Sequence, residues 1–179
     1  MHIREPFETL YNQHHSLVYT LAFHYLQNTE DAEEITQDVF VKLHRSLDKF
    51  GNRSAIKTWI YRITVNACLD CIKRKKSKRH FFSFGQGRVA NENFEVPHFE
   101  HPGILLENQE NAKILFAVIN TLPENQKTAF ILSKLDGLSN HEIAVIMDVS
   151  ISAVESLVFR AKSALKEKLS AKFETYRKK

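Results

Sequence analysis

"DGLSNHEIAVIMDVSISAVESLVFRAKSAL", residues 136–165, decides the fold. Gly137 can end one helix, and Ser139 with Glu142 three positions on has the spacing of a capping box that opens the next. Ser150 or Ser152 can open a third helix, the latter with Glu155 at capping-box spacing. Between them Met147-Asp148-Val149 leaves room only for a tight turn, and Asp148 is a residue that tolerates left-handed backbone. Two short helices around such a turn predict a helix-turn-helix, whose second helix enters a DNA groove. Glu155 is the anomaly, because a phosphate would repel it. Completing a cap with Ser152 is the reading that spacing favours, with acceptance from a cytosine amine as the other.

Working outward, the bulk numbers are those of an ordinary soluble globular protein and lean toward helices. The 179 residues carry 43% hydrophobic and 26% charged side chains with a formal charge of +4, so charge distribution matters more than its sum. Only 5 Gly and 4 Pro favour helices over many short strands. No apolar run approaches the roughly 20 residues that span a bilayer. "MHIREPFETLYNQ" holds no apolar signal core, and two cysteines without an export signal suit a reducing, cytoplasmic setting.

Upstream, apolar residues recur at helical spacing in three runs. Leu10, Tyr11, Leu17, Val18, Leu21, Tyr25 and Leu26 form the first, with Pro6 suited to its first turn. Asn28 or Thr29 can cap the second, which turns Ala32, Ile35, Val39, Phe40, Leu43 and Leu47 inward. A third, capped by Ser54, aligns Ile56, Trp59, Ile60, Ile63, Ala67 and Cys71. Residues 81–110 then hold three of the five glycines, two of the four prolines and five glutamates against one arginine, with no period. That composition predicts a tether. A second unit follows: Ile114, Leu115, Val118, Ile119 and Leu122 form one stripe, and Pro123 opens a helix burying Ala129, Phe130, Leu132 and Leu135. The last helix buries Val154, Leu157, Val158, Ala161, Leu165 and Leu169. The expected fold is all-α: two small helical domains, 1–80 and 105–179, joined by a flexible acidic linker, 81–104, with the helix-turn-helix in the second.

Three features carry chemistry. Asp31, Glu34 and Asp38 stand at i, i+3 and i+7 opposite the core of the second helix, flanked by Glu33 and Gln37. Such a stripe is either a solvated face or a docking surface for a basic partner. The third helix carries Arg62, Asn66, Asp70 and Lys73, then Arg74, Lys75, Lys76, Lys78 and Arg79. The helix dipole accounts for one or two cations there, and the excess points to phosphates. Phe50, Trp59 and Tyr61 nearby suit stacking on unpaired bases, or fit equally as core. Asp70 with Arg74 also fits a simple i,i+4 ion pair. On the last helix, Arg160, Lys162 and Lys166 can hold phosphates while Ser152 and Ser156 reach base edges.

Two tempting clusters carry less. Cys68 and Cys71 have redox or metal spacing but sit mid-helix, where packing is the better account. His98 and His101 have no third ligand near them in sequence. No phosphate-cradling glycine loop and no catalytic triad appear, so no cofactor, metal or enzyme activity is expected.

Taken together, "DAEEITQDVFVKLHRSLDKF" (31–50), "KTWIYRITVNACLDCIKRKK" (57–76), "LPENQKTAFILSKLDGLSNHEIAVIM" (122–147) and "VSISAVESLVFRAKSALKEKL" (149–169) resemble bacterial sigma factors of the extracytoplasmic-function group. The resemblance covers nearly the whole chain. It implies a subunit that directs core RNA polymerase to promoters and helps open the DNA. Asp31, Glu34, Gln37, Asp38 and Phe40 match the surface that docks on the clamp helices of the largest polymerase subunit. Phe50, Arg53, Lys57, Trp59, Tyr61, Arg62, Asn66, Asp70, Lys73 and Arg74 match the part that melts and reads the −10 element. Ser150, Ser152, Ala153, Glu155, Ser156, Arg160, Lys162 and Lys166 match the −35 reader. The resemblance further implies an anti-sigma partner, often membrane-anchored. Many members carry bases at the positions of Glu155 and Leu157, so the −35 preference here is expected to depart from the usual one. The competing reading, from the C-terminal half, is a stand-alone helix-turn-helix regulator that binds duplex operators without polymerase.

Overall fold

A computed structural model describes residues 7–47, 56–86 and 106–177, with side chains at 7–47, 56–77 and 111–171. Pro6, Phe50, Arg53, Ser54, His98 and His101 lie outside the described residues. Every described element is helical, and the chain divides into two compact units, 1–93 and 94–179.

The first unit packs α1 (Phe7–Leu26), α2 (Thr29–Ser46) and α3 (Ile56–Gln86) against one another. Its centre is Leu10, Val18, Leu21, Tyr25, Ile35, Leu43, Ile60 and Cys68, each at most 2% exposed. Burying a Leu or Ile side chain contributes roughly 1.5–3 kcal/mol, so these residues dominate the unit's stability. Two residues suffice for the turn from α1 to α2. Gln27 adopts left-handed backbone (φ 54°), and its side chain Nε2 donates to Phe23 O at 3.0 Å and His24 O at 3.1 Å. That second capping bond offsets some of the strain a non-glycine residue meets in this region. Asn28 then opens α2 by accepting from the Asp31 backbone N–H at 2.8 Å. Thr36 and Thr64, both buried, donate back to the carbonyls of Ala32 and Ile60. The two cysteines are buried free thiols in this core.

α3 runs to Gln86, past the expected boundary at 80. No proline or glycine stands between Ser54 and Gly85, so nothing in the chain stops the helix earlier.

The second unit comprises α4 (Leu106–Ile119), α5 (Glu124–Phe130), α6 (Asn140–Met147) and α7 (Ile151–Arg177), with α7 packed on the other three. Helix α5 does not simply run on to Gly137. At Ile131–Leu135 it widens into π-helix, with Asp136 N–H donating to Ile131 O at 3.1 Å. The wider turn shifts which side chains face inward. Ile131 and Leu132 are fully buried, whereas Phe130 and Leu135, expected in the core, are only half-buried. Gly137 (φ 69°) then reverses the chain. Phe116 of α4, missed by the apolar stripe read from sequence, is buried at 7% exposure.

Candidate nucleic-acid and protein-docking surfaces

On α2 the residues farthest from the core are Glu30, Glu34, Gln37, Asp38 and Val41, all exposed. Val41, at 49% exposure, is an apolar spot within the acidic face that charge patterning alone did not single out. Two members of the expected docking set sit elsewhere. Asp31 leans toward α3 and forms an ion pair with Lys75, its side chain only 18% exposed. Phe40 is 4% exposed, with Tyr11 over it at 4.7 Å between ring centroids and Phe7 edge-on at 6.3 Å. It faces α1 because it lies about 100–120° around the helix from Glu34 and Val41. Phe40 is therefore buried beneath the α2 surface rather than part of its exposed face.

On α3 the helical period brings Trp59, Arg62, Asn66, Asp70 and Lys73 onto one side. Arg62, Asn66, Asp70, Lys73 and Arg74 are exposed, Trp59 is half-buried, and Lys57 is exposed nearer the helix start. Tyr61, expected to stack on bases, is 4% exposed and belongs to the core; it lies on the same flank as buried Val65 and Cys68. Asp70 and Arg74 make no ion pair with each other. They instead line a shallow groove of about 490 Å³ between α2 and α3, with Asp38, Lys42 and Lys73. This groove joins the acidic face to the basic end of α3.

The helix-turn-helix is built as its capping signals predict, with one exception. Ser139 and Glu142 form a complete capping box: Ser139 N–H donates to Glu142 Oε2 at 2.9 Å, and Glu142 N–H donates to Ser139 Oγ at 3.3 Å. Asp148 ends α6 in left-handed backbone (φ 57°, ψ 49°), and the Val149 N–H donates to Ala144 O at 3.1 Å. The exception is the start of α7. Ser150, not Ser152, is the cap: its Oγ accepts from Ala153 N–H at 3.2 Å. Ser152 is already inside the first turn, so the expected Ser152–Glu155 capping box does not form. Ala153 is half-buried, while Ser152, Glu155, Ser156, Arg160, Lys162 and Lys166 are exposed. Phe159, absent from the expected set, is 71% exposed in the middle of this outward face, between Ser152, Ser156 and Ser163. Its signal was available: an aromatic four positions after Glu155, off the buried stripe of Val154, Val158, Ala161 and Leu165.

Among the described residues no three His, Cys, Asp or Glu side chains converge on a metal-sized site, and no helix is long and apolar enough to cross a membrane.

Comparison with known proteins assigns both halves. Residues 10–78 match the family described as Sigma-70 region 2, and residues 112–165 match Sigma-70, region 4. The ECF RNA polymerase sigma-E factor of Escherichia coli is 36% identical over 143 residues, 78% of this chain and 74% of that protein. The Haemophilus influenzae sigma-E factor is 31% identical over 172 residues, 93% of this chain and 88% of that one. Among solved structures, the sigma factor RpoE of Bartonella quintana, crystallised with the anti-sigma factor NepR, superposes with a TM-score of 0.70 at 22% identity, over 92% of this chain and 96% of that one. CnrH, solved with the cytosolic domain of CnrY, gives 0.65 at 21% identity, over 92% and 88%.

Proposed function

This chain belongs to the extracytoplasmic-function group of sigma-70 factors, and from that membership we propose how its two units divide the work of starting transcription. The protein directs core RNA polymerase to promoters. The polymerase performs the chemistry, in the cytoplasm, and this subunit contributes only binding and DNA opening. The first unit, which we place at residues 1–80, docks on polymerase and opens the −10 element. The second, at 105–179, reads the −35 duplex, and 81–104 tethers them.

The observation that carries this division is the separation of charge on the first unit. Glu34, Gln37 and Asp38 face outward from α2 around Val41, while Lys73, Arg74 and Lys76 face outward from α3. An acidic face with an apolar centre suits a basic helical partner such as the polymerase clamp. The basic end of α3 suits phosphates, and each phosphate neutralised adds about 0.7–0.9 to the slope of log K against log salt. Arg62 and Asn66, beside the half-buried ring of Trp59, offer donors and a stacking edge to bases turned out of the duplex.

On α7, Arg160, Lys162 and Lys166 hold phosphates and the first two turns face base edges. Neither unit needs tight affinity alone. Polymerase holds both over one promoter, so the second contact forms at an effective concentration of order mM. This is also why the stand-alone regulator is the weaker reading. Because the similar factor RpoE was crystallised with the anti-sigma factor NepR, we propose an anti-sigma partner here too, one that covers the docking and DNA-reading faces.

Run-off transcription with purified core polymerase, using DNA upstream of the protein's own gene, tests the reading. A discrete transcript that depends on the protein is expected. No transcript, together with no stable complex with core polymerase in the same mixture, would favour the stand-alone regulator.

A further inference from the structure

We propose that Glu155 reads a base: its carboxylate accepts a hydrogen bond from the N4 amine of cytosine, so the upstream element recognised by this protein carries a C·G pair at one fixed position. This rests on α7 being the duplex-reading helix. Three observations exclude a structural job for the carboxylate. Ser150 supplies the cap of α7, which leaves no capping box for Glu155 to complete. The helix neighbours three and four positions away are Ile151, Ser152, Val158 and Phe159, none of them cationic. Among the described residues Glu155 makes no hydrogen bond or ion pair, and it is exposed.

An uncompensated carboxylate near DNA is repelled unless it meets a donor. The cations that hold phosphates, Arg160, Lys162 and Lys166, all lie farther along the helix. Glu155 instead sits in the first turns, with Ser152 and Ser156, where a recognition helix approaches base edges. The major groove offers two amine donors, adenine N6 and cytosine N4. Adenine N6 lies between two acceptors, its own N7 and the thymine O4 across the pair. Cytosine N4 has an acceptor, guanine O6, on one side only and a C–H on the other. A carboxylate therefore favours cytosine, and it rejects the acceptor edges of guanine and thymine outright. Phe159, one turn on and 71% exposed, stands on the same side of the helix.

The test uses holoenzyme assembled from core polymerase and the full chain, with promoter DNA randomised across the upstream element. DNA supporting transcription is sequenced for wild type, Glu155→Ala and Glu155→Gln. Wild type is expected to prefer cytosine about tenfold at one position, the scale of a single good base contact. Glu155→Ala should flatten that position alone. Glu155→Gln should turn the preference toward adenine, which a side-chain amide pairs through N6 and N7. Glu155 is exposed, so both variants are expected to unfold thermally like wild type, and that is measured alongside. A cytosine preference that survives in Glu155→Ala, or a wild-type motif without cytosine at any position sensitive to Glu155, would overturn the proposal. Transcription with no upstream motif enriched by any of the three proteins would instead count against α7 as the reading helix.

Discussion

Charge reversal on α2 should separate two roles that spacing alone merges. By sequence Asp31, Glu34 and Asp38 form one stripe, but the fold gives Asp31 a partner, Lys75, and leaves the other two facing solvent. The Asp31 side chain is 18% exposed and that of Lys75 51%, so the pair is partly shielded from water. An exposed pair contributes roughly 0.2–1 kcal/mol, and partial shielding puts this one near the top of that range, about 1 kcal/mol. Asp31→Lys removes that attraction and sets two ammonium groups together, for a loss of about 2 kcal/mol. In a domain of 60–100 residues this lowers Tm by roughly 8–16 °C. Glu34→Lys with Asp38→Lys should leave Tm nearly unchanged and weaken core polymerase binding at least about tenfold, through loss of complementary charge. Thermal unfolding and fluorescence titration with core polymerase measure the two effects. The charge-swapped pair, Asp31→Lys with Lys75→Asp, should recover most of the lost stability. If the swap recovers nothing, the ion pair does not hold α2 to α3; if the Glu34 and Asp38 double variant binds polymerase normally, the acidic face is not the docking site.

Asn66→Ala should slow promoter opening, followed by permanganate reactivity of unpaired thymines, more than it weakens core binding; equal opening rates would remove its base-reading role. Phe159→Ala should weaken holoenzyme binding to promoter DNA without lowering Tm, whereas Val158→Ala, at a buried neighbour (8% exposed), should cost stability on the order of 1–2 kcal/mol. Ser139→Ala removes the Oγ that accepts from Glu142 N–H and donates to Glu142 Oε2, and should destabilise the second unit by about 1 kcal/mol, read as a fall in Tm.

The helix count, the capping box at Ser139 and the left-handed turn at Asp148 were legible because each depends on neighbours a few positions away. The acidic, basic and helix-turn-helix surfaces were legible for the same reason, since a helix face follows from spacing. What spacing cannot show is which of two nearly equivalent faces another helix covers. Spacing turned Phe40 inward while the resemblance put it on the docking surface, and α1 packs over it; Tyr61 looked like a surface aromatic, yet it faces the core. The Asp31–Lys75 pair joins positions 44 apart in sequence, and no local pattern predicts it. At α7 two serines competed for the cap, and the first prevailed because the left-handed Asp148 ends α6 early enough for Ile151 to begin the next helix.

The π-helical segment at Ile131–Leu135 gives the second unit slack in chain length. A turn bonded i to i−5 holds one residue more than the α-helical turn on either side. Deleting Ser133, which is half-buried, should let the segment close as ordinary α-helix and leave Tm close to that of wild type. The same deletion inside α7 would instead rotate everything beyond it by about 100° and break up the exposed face that carries Arg160, Lys162 and Lys166. Length changes in this unit are thus expected to be tolerated just upstream of the helix-turn-helix and not within it.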